Sequence, residues 1–125
     1  MNQILLIGIG GFFGSVSRFL ISRYVGSLLP SFPLGTLFVN VTGSFILGFI
    51  SYAVLYGRNI DPDVRNMITV GFIGAYTTMS TFAFESFRLA ELSDYMHFGL
   101  NLVLNVSLCL FAIYLSKQLA IIIIK

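Results

Sequence analysis

Four long apolar runs, parted by short polar segments, take up most of this 125-residue chain. They cover residues 4–25, 34–57, 66–84 and 98–116. Each supplies close to the roughly 20 residues that a helix needs to cross a hydrocarbon layer about 30 Å thick. The runs do not alternate apolar with polar residues, which argues against a transmembrane barrel. Helices buried in a soluble domain would require a wet face elsewhere. The chain is 57% hydrophobic and 10% charged, against about 25% charged in ordinary soluble domains, so that face has no residues to build it. The expected fold is an all-α integral membrane protein: one transmembrane domain over residues 1–125 with four helices. The opening MNQILLIGIG lacks the basic flank of a signal peptide and reads as the start of the first span.

Seven basic and five acidic residues, scattered along the chain, make no nucleic-acid footprint. The GIGGFFG string of residues 8–14 has neither the preceding strand nor the later acid of a dinucleotide loop. No GxxxxGK[ST] string is present to bind a nucleotide. His97 lacks metal-binding companions, and Cys109, alone in an apolar run, reads as a packed thiol. With no nucleophile–base set in view, the chain is not expected to be an enzyme.

An even number of crossings puts both termini on one side. Arg58, Arg65, Lys117 and Lys125 then share that side, facing Arg23, Arg88 and, if it snorkels that way, Arg18. This is a poor positive-inside signal. It leaves open a single orientation with both ends inside, or insertion in both orientations with head-to-tail dimerisation.

Polar residues within the spans carry more information, because lipid offers them no partners. Thr36, Asn40, Ser44 and Gly48 recur at every fourth position and share one helix face, as do Asn101, Asn105 and Cys109. Such stripes either bond neighbouring helices or line a polar route. Gly10 and Gly14 form a small-xxx-small pair suited to close helix packing. In residues 71–85, GFIGAYTTMSTFAFE, glycines precede four hydroxyl side chains. Hydroxyls compete for backbone bonds, so a helix broken at mid-membrane and a continuous one remain alternatives here. Glu85 and Arg88 are spaced for an i,i+3 salt bridge, the alternative being a place at an ion entrance. The Asn-x-Ser/Thr strings at Asn40 and Asn105 fall inside spans, where glycosylation is implausible.

The embedded groups are thus neutral donors and aromatic ring edges, with Arg18 the one embedded positive charge and no carboxylate at mid-membrane. Donors without an acceptor charge favour a small anion over a cation. So few helices leave little room for a pore within one chain, and a subunit interface is the natural place for it.

Three segments in order resemble the small bacterial fluoride channels of the CrcB, or Fluc, family: GGFFGSVSRF at residues 10–19, GTLFVNVTGSFILG at 35–48 and GFIGAYTTMSTF at 71–82. The resemblance covers essentially the whole chain. It implies a third helix broken at mid-membrane and an antiparallel homodimer of dual topology in the bacterial inner (plasma) membrane. Two fluoride pathways would follow the subunit interfaces, and the channel would passively export fluoride from the cytoplasm. A structural sodium ion would be held centrally by the backbone carbonyls of Gly74 and Thr77 from both copies. Arg18 matches the vestibule arginine and Asn40 the pore asparagine. Phe82 would present a ring edge to the ion, Ser80 and Thr81 would supply hydroxyls, and Ser107 and Glu85 match positions of a polar track. One residue of this pathway departs from the signature: Met79 stands where the family's TTFSTF has the first of two phenylalanines. Its thioether lacks a rigid electropositive edge. Two other readings are a small proton-coupled multidrug exporter, which needs an embedded carboxylate that the first span lacks, and a non-conducting accessory subunit.

Overall fold

A computed structural model describes residues 2–125. Four helical spans account for nearly all of it, over Gln3–Leu28, Leu34–Leu55, Pro62–Glu91 and Tyr95–Ile124. We number the helices α1 (Gln3–Leu28), α2 (Leu34–Leu55), α3 (residues 62–76), α4 (Met79–Glu91) and α5 (Tyr95–Ile124). Helices α3 and α4 together make the third span. They are separated at Thr77 and Thr78, both of which adopt extended backbone angles. The middle of α3, Met67–Ile73, is wound as a π-helix.

Most spans run past the apolar stretches from which they were predicted, because polar caps lie beyond the apolar cores. Asn2 accepts the Ile4 N–H at 2.9 Å and starts α1. Asp61 accepts the Asp63 and Val64 N–H groups, with Pro62 in the first turn of α3. Asp94 caps α5. The last residues, LAIIIIK, prolong α5 to 30 residues, about 45 Å of helix and longer than the hydrocarbon layer. Where it overruns, Lys117 and Lys125 lay their ammonium groups over the rings of Tyr52 and Tyr56 at the end of α2. That pairing of amphipathic rings and cations suits a membrane interface.

Close backbone approach sets the packing. A Cβ on Gly10 or Gly14 would collide with the backbone of Met67 or Phe72, and one on Gly71 with the Ile7 carbonyl. These three glycines therefore seat α1 against the π-wound part of α3, the packing role expected of the Gly10/Gly14 pair. Gly48 performs the same service between α2 and α5, against Ser116 and Ile113. Large apolar residues such as Phe12, Phe13, Leu55, Val103 and Ile122 stay exposed, as befits a surface solvated by lipid. Among the described residues, no buried side-chain nitrogen or oxygen lacks a hydrogen-bond partner.

Candidate functional site

The break in the third span has a specific chemical cause. In a continuous helix the Thr78 N–H would bond the Gly74 carbonyl. Here it donates instead to Asn40 Oδ1 at 2.8 Å. Likewise the Thr81 N–H, which would bond the Thr77 carbonyl, donates to Thr78 Oγ1 at 3.1 Å and so caps α4. The carbonyls of Gly74 and Thr77 lose their helical donors by these two diversions. Of the alternatives left open by composition, the hydroxyl-rich stretch forms the broken helix.

Asn40 stands at the centre of the arrangement. Besides accepting from Thr78, its amide nitrogen donates to the Thr78 carbonyl and to Asn105 Oδ1, both at 3.1 Å. Asn105 donates to Asn101 Oδ1 at 2.9 Å, and Asn101 donates to Ser86 Oγ at 2.9 Å. The two stripes read from the sequence thus face one another across α2, α4 and α5, and Asn101 is wholly buried.

Beside Asn40 lies a groove of about 400 Å³, lined among others by Ser44, Thr77, Met79, Phe82 and Asn105. Asn40, Met79 and Phe82 from the expected pathway therefore meet there. Met79 is 74% exposed, whereas Phe82 is tucked in at 8%. Ser80 and Thr81 are exposed on the first turn of α4 and do not line this groove. Thr81 Oγ1 accepts from Thr78 Oγ1 at 3.1 Å. Ser107 is exposed on α5, with its hydroxyl turned back to the Val103 carbonyl at 2.6 Å. Arg18 is half-buried on α1 and also lies outside the groove.

Glu85 corrects one expectation. It is not paired with Arg88; Arg88 reaches Glu91 at 2.9 Å instead. Glu85 turns inward to accept the Thr36 hydroxyl at 2.5 Å, which takes it away from the exposed side where Arg88 lies. Sequence reasoning did not single out Ser86, whose role depends on which residue of α5 comes opposite it, a matter of helix register.

Outside the membrane-spanning segments, Asp94 accepts the His97 N–H and sits 2.6 Å from His97 Nδ1. The hydrogen bond from the His97 ring holds the Asp94 carboxyl below the usual carboxylate range. Phe32, buried in the loop after α1, packs against the same ring. Among the described residues, no group of three or more His, Cys, Asp or Glu could hold a metal ion.

Known proteins resemble this chain over most of its length. The family described as "CrcB-like protein, Camphor Resistance (CrcB)" matches residues 5–117. "Fluoride-specific ion channel FluC 1" of Methanosarcina acetivorans is 48% identical over 117 residues, covering 94% of this chain and 89% of that protein. "Fluoride-specific ion channel FluC" of Shewanella sp. (strain ANA-3) is 48% identical over 120 residues, 95% of this chain and 96% of the relative. The protein of that name from Campylobacter jejuni is 45% identical over 118 residues, 93% and 95% of the two chains.

Proposed function

This chain belongs to the CrcB-like family, and from that membership we propose that it is a passive, fluoride-selective channel exporting fluoride from the cytoplasm. It is a multi-pass protein of the bacterial inner membrane and not an enzyme. The observation that carries the reading is the placement of Asn40. A neutral amide donor is held in mid-span at a helix break, beside a groove that also contains Phe82 and Met79.

Fluoride is small and strongly hydrated, so its water shell must be replaced by closely set donors. Asn40 supplies N–H, the ring edge of Phe82 supplies a weak positive field, and Ser80 and Thr81, on the same turn of α4 but outside the groove, supply hydroxyls further along the path. Ser80 and Thr81 are exposed on the single chain, with Thr78 Oγ1 the one hydroxyl near both of theirs, so in hydrocarbon their remaining hydrogen-bonding capacity would go unmet. A second copy of the chain meets that need. We therefore assign the working unit as an antiparallel homodimer with two pathways along its interfaces. Glu85, Ser107 and the vestibule residue Arg18 then lie on the approach to the ion's path. Dual topology accords with the weak bias of basic residues between the two sides of the membrane.

The break also fits a structural sodium ion. The Gly74 and Thr77 carbonyls are deprived of their helical donors, and unwound backbone carbonyls are the ligands sodium takes within membranes. Bound between the copies, such an ion would supply positive charge at the centre of the dimer.

Purified protein in liposomes tests the proposal by fluoride efflux with chloride as control. Fluoride should leave rapidly while chloride is retained. Absence of fluoride movement would point to the accessory-subunit reading, and equal movement of both anions would sink the selectivity. A proton-coupled exporter is disfavoured by α1, which carries no acidic residue.

A further inference from the structure

The polarity of the hydrogen-bond chain through Asn40 is fixed by backbone groups at both ends. At one end the Thr78 N–H can only donate, so the atom of Asn40 that meets it must be the oxygen. At the other end the Phe82 carbonyl can only accept, so Ser86 donates its hydroxyl proton there, at 2.7 Å. The Ser86 oxygen is then left to accept from the Asn101 amide nitrogen. Asn101 must therefore turn its oxygen toward Asn105, which donates to both the side-chain and main-chain oxygens of Asn101, at 2.9 and 3.0 Å. That leaves the Asn105 oxygen facing Asn40 and accepting one of its two amide protons. Amide orientations are otherwise easily reversed. Here no member can flip without setting donor against donor or acceptor against acceptor.

We propose that Asn105, Asn101 and Ser86 are positioning residues of the anion pathway, forming a one-way relay that, together with the Thr78 backbone, holds the Asn40 amide nitrogen toward the permeating ion. This inference rests on the channel reading. Asn105 captures one Asn40 proton. The second donates to the Thr78 carbonyl at 3.1 Å, and an anion in the groove would compete with that carbonyl for it. Reversing the Asn40 amide would present an acceptor oxygen to fluoride and repel it. The relay starts and ends on the same short stretch, from the Thr78 N–H to the Phe82 carbonyl. It therefore ties the donor and the ring of the pathway into one rigid unit. Ser86, Asn101 and Asn105 are all buried, and Ser86 and Asn101 do not line the groove.

The test uses the full-length protein in liposomes, with Ser86→Ala, Ser86→Thr and Asn101→Leu compared with wild type. Ser86→Ala removes the far anchor of the relay without touching the groove. Fluoride flux should fall about tenfold, the effect of one buried hydrogen bond, and Ser86→Thr, which restores the hydroxyl, should recover it. The Asn40 side-chain NH2 resonances, observed in 15N-asparagine-labelled protein, should broaden or shift in Ser86→Ala and return in Ser86→Thr. A purely structural role for Ser86 would leave those resonances in place in assembled protein. Wild-type flux from Ser86→Ala, or a threonine variant no better than alanine, would overturn the relay while the channel reading stood. Should Asn101→Leu fail to assemble, the Ser86 pair still decides. No flux from wild type would overturn the channel reading, and this assignment with it.

Discussion

Asn40 pairs with Thr78 as one peptide group pairs with another, accepting the Thr78 N–H at 2.8 Å and donating to the Thr78 carbonyl at 3.1 Å. A side chain on α2 thereby stands in for the helical partner that Thr78 gives up. Structure and proposed conduction meet in this one residue.

Replacing Asn40 with leucine should therefore do two things. It leaves the Thr78 N–H without its acceptor in an apolar setting, at a penalty of about 1–3 kcal/mol. It also removes the donor offered to the anion. Unfolding in detergent should show the destabilisation, and fluoride flux from assembled protein should be lost. A variant that conducts near the wild-type rate would remove Asn40 from the pathway.

The sequence made the four spans and the packing role of Gly10 and Gly14 legible, because span length and helical spacing are local properties. Composition alone left the break undecided, since hydroxyls can bond back to their own helix as readily as cap a new one; the family resemblance is what implied it. Thr77 does the former, with its hydroxyl on the Ile73 carbonyl, and Thr78 the latter. Glu85 shows the limit most plainly. Its i,i+3 neighbour Arg88 is visible in the sequence, while its actual partner Thr36 lies 49 positions away on another helix. Which polar residues meet across helices depends on rotation and register, and neither is written in local spacing.

The glycines of α1 should respond very differently to alanine. A Cβ at Gly14 would run into the backbone of Phe72, whereas nothing lies within 4 Å of one at Gly8. Backbone cannot yield as a flexible side chain would, so Gly14→Ala should destabilise the protein by about 1–3 kcal/mol. Gly8→Ala should be neutral or stabilise by up to about 1 kcal/mol through helix propensity. Denaturation midpoints of the two variants in detergent compare them directly. Equal midpoints would mean that α1 does not sit against α3 as closely as described.

Acid should loosen the start of α5. The Asp94 carboxyl is held below its ordinary value of 3.8 by its bond with His97. A group with a depressed folded-state pKa contributes stability that is present above the unfolded value and lost as pH falls through the folded one. The contribution is thus intact at neutral pH and disappears only below about pH 4. Asp94→Asn retains an oxygen that can accept the His97 N–H but has no carboxyl to titrate. Its stability, followed by thermal unfolding, should be flatter than wild type over that acid range. Parallel pH profiles for the two proteins would dissociate Asp94 from the acid response.

Met79 offers the sharpest test of how much the pathway needs a second aromatic ring. The side chain projects from the first turn of α4, 74% exposed, into the groove beside Asn40 and Phe82. Phenylalanine at this place would meet no packed core within the chain, so Met79→Phe should change the stability of a single copy by less than about 1 kcal/mol. Any effect would therefore fall on permeation. A methionine is flexible and of similar bulk, so it leaves the path open but gives no fixed electropositive edge. With Phe82, Asn40 and the hydroxyls still in place, the wild-type protein should conduct fluoride at a rate within about tenfold of Met79→Phe, the span of one lost weak contact. Side-by-side efflux measurements check this. A silent wild type restored by phenylalanine would mean that the paired rings, and not the Asn40 donor, set the barrier to the ion.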